Sequence, residues 1–343
     1  MALLDRFLAR AVKRGELTVT HPDGRQARFG RPDPALPAVA IRFTDAAAER
    51  AILLDPASGA GEMFMAGRLV IEGGDVLDLA TLLTGNDPWE AGQNNLEPSR
   101  TRRLLGAVKF RLDRYNMERR SRRNVAHHYD LSDRLYALFL DRDLQYSCAY
   151  FTDPANGLEQ AQADKLAHIA AKLAIRPGMR VLDIGCGWGG IALYLHAKLG
   201  AEVLGVTLSE EQLKVARRRA AEAGVADKVR FELMDYRRVR PEDFGGRFDR
   251  IVSVGMFEHV GPGHYRAFMR KCRDLLAPDG VMLLHTIGRL GAPGVTDAFT
   301  AKYIFPGGYN PALSEILRAQ EGLRLFTTDI EVLRLHYAWT LKE

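Results

Sequence analysis

From about Asn124 onward the apolar and polar positions fall into a regular strand-then-helix rhythm. MRVLDIGCGWGG is a continuous apolar run entering a glycine-rich turn, and IALYLHAKLG follows at helical spacing. AEVLGVTLS predicts the next strand, EEQLKVARRRAAEAG its helix, VRFELMD the third strand and FDRIVSVGMFEHV the fourth. GVMLLHTIG predicts the fifth, after a helix ending at LLAPDG. Strands that read as unbroken apolar runs are covered on both faces, and alternation with helices requires crossover connections. The predicted fold class is therefore α/β, a doubly wound, Rossmann-like, mostly parallel sheet. In such sheets ligands bind beyond the carboxyl ends of the strands, so the chemistry is sought there.

Before this region the pattern is different. Residues 1–98 mix short apolar runs such as AVAIRF, RAILL and RLVIEG with the turn signals HPDGR, GRPDPALP, DPASGAGE and IEGGD. This predicts a smaller N-terminal α+β domain, associated with lipid or with dimer formation, and it contains no nucleophile–base pair or metal-ligand cluster. A chain of 343 residues exceeds the comfortable size of one core, in keeping with two domains. Residues 99–123 carry ten Lys/Arg against Asp113 and Glu118, with Leu104, Leu105, Val108, Leu112 and Tyr115 at helical spacing. A basic amphipathic connector helix is predicted, which suits either an anionic membrane surface or a solvated linker. The domain from 124 to 343 is the doubly wound one.

Charge and composition narrow the class further. Net charge is +5, and no apolar run reaches the roughly eighteen residues of a membrane span. The N-terminal stretch MALLDRFLARAVKRGEL carries charges through its apolar positions, so it is not read as a signal peptide and a cytoplasmic protein is expected. The three cysteines, Cys148, Cys186 and Cys272, are too few and too scattered for a disulfide framework or a zinc site. No metal is expected.

Asp183, Gly185, Gly187, Gly189 and Gly190 form the pattern D-x-G-x-G-x-G-G at the end of the first strand of the sheet. Its glycines also satisfy a dinucleotide fingerprint, so the turn alone is ambiguous. Asp183 suits a cationic ligand better than a pyrophosphate. The third strand ends in Asp235–Tyr236, a carboxylate to accept from an adenine amino group beside an aromatic face. Both features favour S-adenosylmethionine. After the second strand, Thr207, Leu208, Ser209, Glu210, Glu211 and Gln212 stand where a carboxylate ordinarily receives the ribose. A neutral Gln212 can serve it, while Ser209 followed by Gln212 reads as a capping box.

The fourth and fifth strands end in MFEHVG and LHTIG, which brings Glu258 and His285 to the cofactor edge, with His259 turned elsewhere if Glu258 points in. The fourth strand lacks the D/N-P-P-Y element with which amino-methylating enzymes grip an extruded base, and nucleic acid is not expected as a substrate. Cys148, within YSCAYF, is open at this point to three roles: core packing, nucleophile or site wall.

NVAHHYDLSDRLYALFLDRDLQYSCAYF, VLDIGCGWGG, VTLSEEQ, DYR, FDRIVSVGMFEHVG, LHTIG, YIFPGG and LRLHYAWTL occur in that order. Together they resemble the cyclopropane-fatty-acyl-phospholipid synthase family, which includes mycolic acid cyclopropane synthases. EMFMAGRLVIEGGD resembles the N-terminal domain of the bacterial phospholipid enzymes. The resemblance implies a methylene transfer from S-adenosylmethionine to the cis double bond of an unsaturated phospholipid acyl chain. A bicarbonate ion would be held by Cys148, Glu258, His285, the Ile287 backbone and Tyr337, making Cys148 a wall rather than a nucleophile. Cofactor contacts would be Tyr146, Ser147, Asp183, Gly185, Gly187, Gly189, Thr207, Leu208, Gln212, Asp235 and Tyr236. Tyr136, Phe139, Tyr150, Phe151, Phe257, Tyr303 and Phe305 are candidate acyl-tunnel walls, with core packing as the commoner fate of each. The implied partners are acyl chains at a membrane surface and a second copy of the chain as a homodimer. The implied location is the cytoplasm, peripheral to the inner membrane. The resemblance also implies a final antiparallel strand beyond Glu343, so the C-terminal strand is expected to be missing here.

Overall fold

The computed structural model describes residues 3–56, 58–86, 133–296 and 298–343. The basic segment 99–123 and both boundaries beside it, at 98/99 and 123/124, lie outside these residues. The chain divides into two compact units. The first holds the described residues up to 86 together with 298–304, and the second holds 133–296 and 305–343.

In the first unit β1 (Glu16–Thr20), β2 (Gln26–Phe29), β3 (Ala38–Phe43) and β4 (Leu69–Gly73) form a sheet in the order β2-β1-β3-β4. Period-two burial turns Leu17, Val19, Val39, Ile41 and Phe43 inward against Leu4 and Leu8 of the helix Leu3–Ala11 and Ile52 of the helix Ala46–Leu54. This is the α+β arrangement expected from the turn-punctuated sequence. The segment 298–304, read from sequence as part of the second domain, belongs to this unit. There Lys302 Nζ and the Tyr303 hydroxyl donate to Glu62 Oε1 at 2.8 and 3.0 Å.

The second unit is built on β5 (Arg180–Ile184), β6 (Glu202–Thr207), β7 (Val229–Leu233), β8 (Phe248–Val254) and β9 (Leu276–His285). Their order is β7-β6-β5-β8-β9 and every pairing is parallel. One apolar layer gathers Leu182, Ile184, Phe248 and Ile251 with Phe268 and Cys272 of the helix Tyr265–Leu275. The other gathers Val181, Val203, Phe231 and Val252 with Leu166 and Ile169 of the helix Leu158–Lys172 and Leu195 of the helix Gly190–Leu199. Two-sided burial is what unbroken apolar strands require, and the doubly wound expectation holds. The fifth strand starts earlier than expected. The helix before it stops at Leu275, and LAPDG, taken from sequence as a helix end, forms the start of β9. Pro278 is tolerated there because β9 is the edge strand of the sheet among the described residues.

Candidate active site

The glycine-rich turn follows β5. Gly185 has φ +84°, and a Cβ there would stand 2.7 Å from Met256 Cβ, so the turn can pass the end of β8 only with glycine. Gly187 has φ +54° and faces open space. A cleft opens here, lined by Tyr146, Ser147, Gly185, Cys186, Gly187, Trp188 and Met256 and by Thr207, Leu208, Gln212, Asp235 and Tyr236. Gly189 does not line it. Its missing Cβ serves close packing against Phe231 and Ala216. Asp183 stands behind the turn, 1% exposed, and neither carboxylate oxygen has a hydrogen-bond partner. Burial alone raises its pKa to about 7.

At the end of β6 the capping expectation is half met. Ser209 Oγ accepts from the Gln212 backbone N–H at 3.3 Å, while the Gln212 side chain turns to the cleft, where its Oε1 accepts from the Thr207 hydroxyl at 3.2 Å. At the end of β7 the Asp235 carboxylate is already engaged. It accepts from the Arg237 backbone N–H at 2.9 Å and from the Arg237 guanidinium at 2.8 and 2.6 Å. These three bonds occupy most of the carboxylate's acceptor capacity.

Residues 141–151 cross the cleft as an irregular strap. The Asp141 carboxylate accepts from the Gln145 N–H at 2.6 Å, and Asp143 is ion-paired to Arg219, which also donates to the Trp188 carbonyl at 2.9 Å. Beyond Cys148 the strap is tied to the helix Leu335–Lys342: Ala149 N–H donates to Thr340 Oγ1 and Phe151 N–H to His336 Nδ1, both at 2.9 Å. Tyr337 is carried on that helix.

Glu258 lies on the short turn after β8, and His285 ends β9. Parallel pairing of β8 with β9 sets Val254 opposite His285, so both strand ends deliver their side chains to one place. Glu258 Oε1 accepts from the Ile287 N–H at 2.6 Å, which leaves that N–H engaged by protein rather than open to a ligand. Glu258 Oε2 and His285 Nδ1 are sealed from solvent without a partner. Burial raises the Glu258 carboxyl, and burial followed by the Lys165 charge lowers His285 to about 4. Tyr337 is pushed up to about 12 by burial with Tyr146, Cys148 and Glu258 nearby. The Cys148 thiol is raised by burial and donates to the Ala149 carbonyl at 3.3 Å, which disfavours a thiolate nucleophile. Of the five residues singled out in sequence, Glu258 is bonded to Ile287 and the charges of Cys148 and Glu258 act on Tyr337, while none of the five is among the residues lining the cleft. His259, expected to point elsewhere from Glu258, lines the cleft itself.

A family model described as mycolic acid cyclopropane synthetase matches residues 116–343. The chain belongs to this family. A cyclopropane-fatty-acyl-phospholipid synthase of Escherichia coli (strain K12) is 43% identical over 233 residues, 67% of this chain and 58% of that enzyme. The chain therefore spans less than two thirds of that relative's length. Tuberculostearic acid methyltransferase UfaA1 of Mycobacterium tuberculosis is 35% identical over 99% of this chain and 79% of its own length. Among solved structures, mycolic acid cyclopropane synthase CmaA1 complexed with SAH and CTAB superposes with a TM-score of 0.59 at 35% identity, covering 64% of this chain and 80% of that one.

Within this mycolic acid cyclopropane synthetase family member, sequence reading missed several groups at the site. Met256 and His259 line the cleft, and Gln162 and Lys165 lie beneath the strap. A signal for the last two was present. Ala161, Gln162, Lys165, Leu166 and Ile169 make up the inward stripe of their helix, and an amide and an ammonium on such a stripe need partners. The aromatic set fell mostly to packing: Tyr136 against Trp188, Phe257 against Tyr265, and Tyr150 stacked between His168 and His336.

Proposed function

We propose that this chain transfers one carbon from S-adenosylmethionine to the cis double bond of an unsaturated phospholipid acyl chain and closes a cyclopropane ring. The observation that carries this reading is that Glu258 Oε2 and His285 Nδ1, at the ends of neighbouring strands, are each buried without a hydrogen-bond partner, in the unit whose cleft is built on a methyltransferase-type turn. S-adenosylmethionine supplies an electrophilic methyl group. Its fit is supported by the orphaned Asp183 carboxylate, the open face of Gly187 and the polar Gln212 and Asp235 at successive strand ends.

An alkene has no proton to lose before it attacks, so the protein's part is to align the π bond with the donor and exclude water. Bond formation at one alkene carbon leaves positive charge on the other, and loss of a proton from the new methyl group closes the ring. Bicarbonate supplies a small anionic base for that proton. Glu258, His285, Tyr337 and Cys148 would hold it, the first two through atoms that lack protein partners. Burial raises the Glu258 carboxyl, which favours its protonated, donating form beside an anion, and neutral His285 can complete the shell.

The lipid substrate requires docking at a bilayer. No helix among the described residues is long and apolar enough to cross a membrane. Leu135, Leu138 and Phe139 are exposed shortly after the basic segment 99–123, and basic residues contribute about 1 kcal/mol each near anionic headgroups. A peripheral enzyme at the inner membrane, working as a homodimer, completes the proposal. Vesicle flotation and sedimentation equilibrium test these two parts.

The relative that aligns with 99% of this chain is a methyltransferase named for tuberculostearic acid, which favours methyl branching as a second reading. Mass spectrometry of phospholipid fatty acids separates the two, after expression in a host without its own cyclopropane activity. A gain of one CH2 on monounsaturated chains, confirmed as a ring and lost in Glu258→Gln, supports the first reading. A methyl-branched product supports the second, and unchanged lipids with soluble protein refute both.

A further inference from the structure

Lys165 has no role in the reaction just outlined, yet it is 2% exposed within the unit that holds the cleft. A buried ammonium is costly unless it is paired, and burial lowers its pKa to about 8. Its Nζ donates to Ser147 Oγ at 2.8 Å. One turn earlier on the same helix face, Gln162 Nε2 donates to the carbonyls of Gln145 and Ser147 at 3.2 and 3.1 Å. This pair grips the strap from below, at the residues that line the cleft from above.

Sheet order locates Ser147 along the cofactor. The strands run β7-β6-β5-β8, and the Asp235–Tyr236 end that suits adenine lies at β7, with Thr207 and Gln212 next at β6. Ser147 lies at the other side, where its Cβ is 3.8 Å from the Cβ position of Gly255, the residue just after β8. A ligand with its adenine at β7 and ribose at β6 brings its amino-acid end to Ser147. That end carries a carboxylate. A serine oxygen that accepts from an ammonium turns its own hydrogen away from that ammonium, here toward the cleft.

Resting on the cofactor reading above, we propose that Lys165 is a positioning residue for the amino-acid carboxylate of the cofactor. Its buried ammonium orients the Ser147 hydroxyl as a donor into the cleft and supplies the positive charge that favours an anionic group there. The groups whose charges act on Lys165 are Asp141 and Asp143 on the strap and Cys148 beside Ser147, and Lys165 in turn acts on His285 at the end of β9.

The test is calorimetric binding of two probes to the full chain: S-adenosylhomocysteine, which has the amino-acid end, and 5′-methylthioadenosine, which lacks it. Lys165→Met is expected to weaken the first about tenfold or more, as loss of a charge-assisted bond does, and to leave the second within twofold. Lys165→Arg is expected to restore the difference in part. Ser147→Ala, which removes the relay and keeps the buried charge, is expected to reproduce the selective loss and carries the test if Lys165→Met does not fold. As pH rises through about 8 the wild type should lose more affinity for S-adenosylhomocysteine than Lys165→Met does. Equal weakening of both probes, or of neither, overturns the inference while the cofactor reading stands. Failure of the wild type to bind S-adenosylhomocysteine overturns both, and the two failures are told apart without any lipid substrate.

Discussion

Glu258 Oε1 accepts the backbone N–H of Ile287 at 2.6 Å, across the adjoining ends of β8 and β9. The bond fixes the carboxyl and leaves its second oxygen buried without a hydrogen-bond partner. Glu258 is therefore held by one oxygen and offered by the other, an arrangement suited to gripping a small ligand with fixed geometry.

Replacement of Glu258 by Gln keeps an acceptor for the Ile287 N–H and removes the ionisable group. Turnover is expected to fall by about 100-fold or more, the scale of losing an acid–base element. The melting temperature should stay within a few degrees of wild type. A variant with near-normal turnover, measured as methylene incorporation into lipid, would remove Glu258 from the proposed chemistry.

Asp183 links the ligand-free cleft to pH. Its folded-state pKa of about 7 lies above the ordinary carboxylate value, so between about 4 and 7 the folded state binds the extra proton. Its contribution to stability is present at low pH and is lost as pH rises through 7. Asp183→Asn removes that loss, up to roughly 4 kcal/mol if the full shift is expressed. The melting-temperature difference between variant and wild type should grow from pH 5 to pH 8. A pH-independent difference would show that the carboxylate is not desolvated.

Two glycines of the turn should respond differently. Gly185→Ala meets Met256 at 2.7 Å as well as the left-handed backbone penalty, and is expected to cost about 2 kcal/mol or more. Gly187→Ala, with open space, should cost only the backbone term of about 1 to 2 kcal/mol. Denaturant unfolding of the pair checks the ordering, and equal costs would mean the Met256 contact yields freely.

Thr340→Val leaves the Ala149 N–H without its acceptor, at a cost of about 1–3 kcal/mol for an orphaned buried donor. Because the same helix carries Tyr337, turnover should fall along with stability, whereas Thr340→Ser should recover both. Thermal melts and lipid turnover together check this, and full activity in the valine variant would separate the helix from the site.

Several features were legible in the sequence for local physical reasons. Unbroken apolar strands alternating with helices specify two-sided burial, and hence the parallel sheet. Glycines at fixed offsets after β5 specify a turn that other residues resist, as Gly185 demonstrates through its contact with Met256. The motifs around Cys148, Glu258 and His285 were recognisable for the same reason, since strand ends and tight turns are local.

What tertiary structure decided was pairing across long separations in the chain. The Ile287 N–H looked open for an ion until β8 and β9 came side by side and gave it to Glu258. Lys165 carries no motif in the sequence. Only packing of its helix beneath the strap buried it against Ser147 and turned a solvated ammonium into a fixed charge at the cleft.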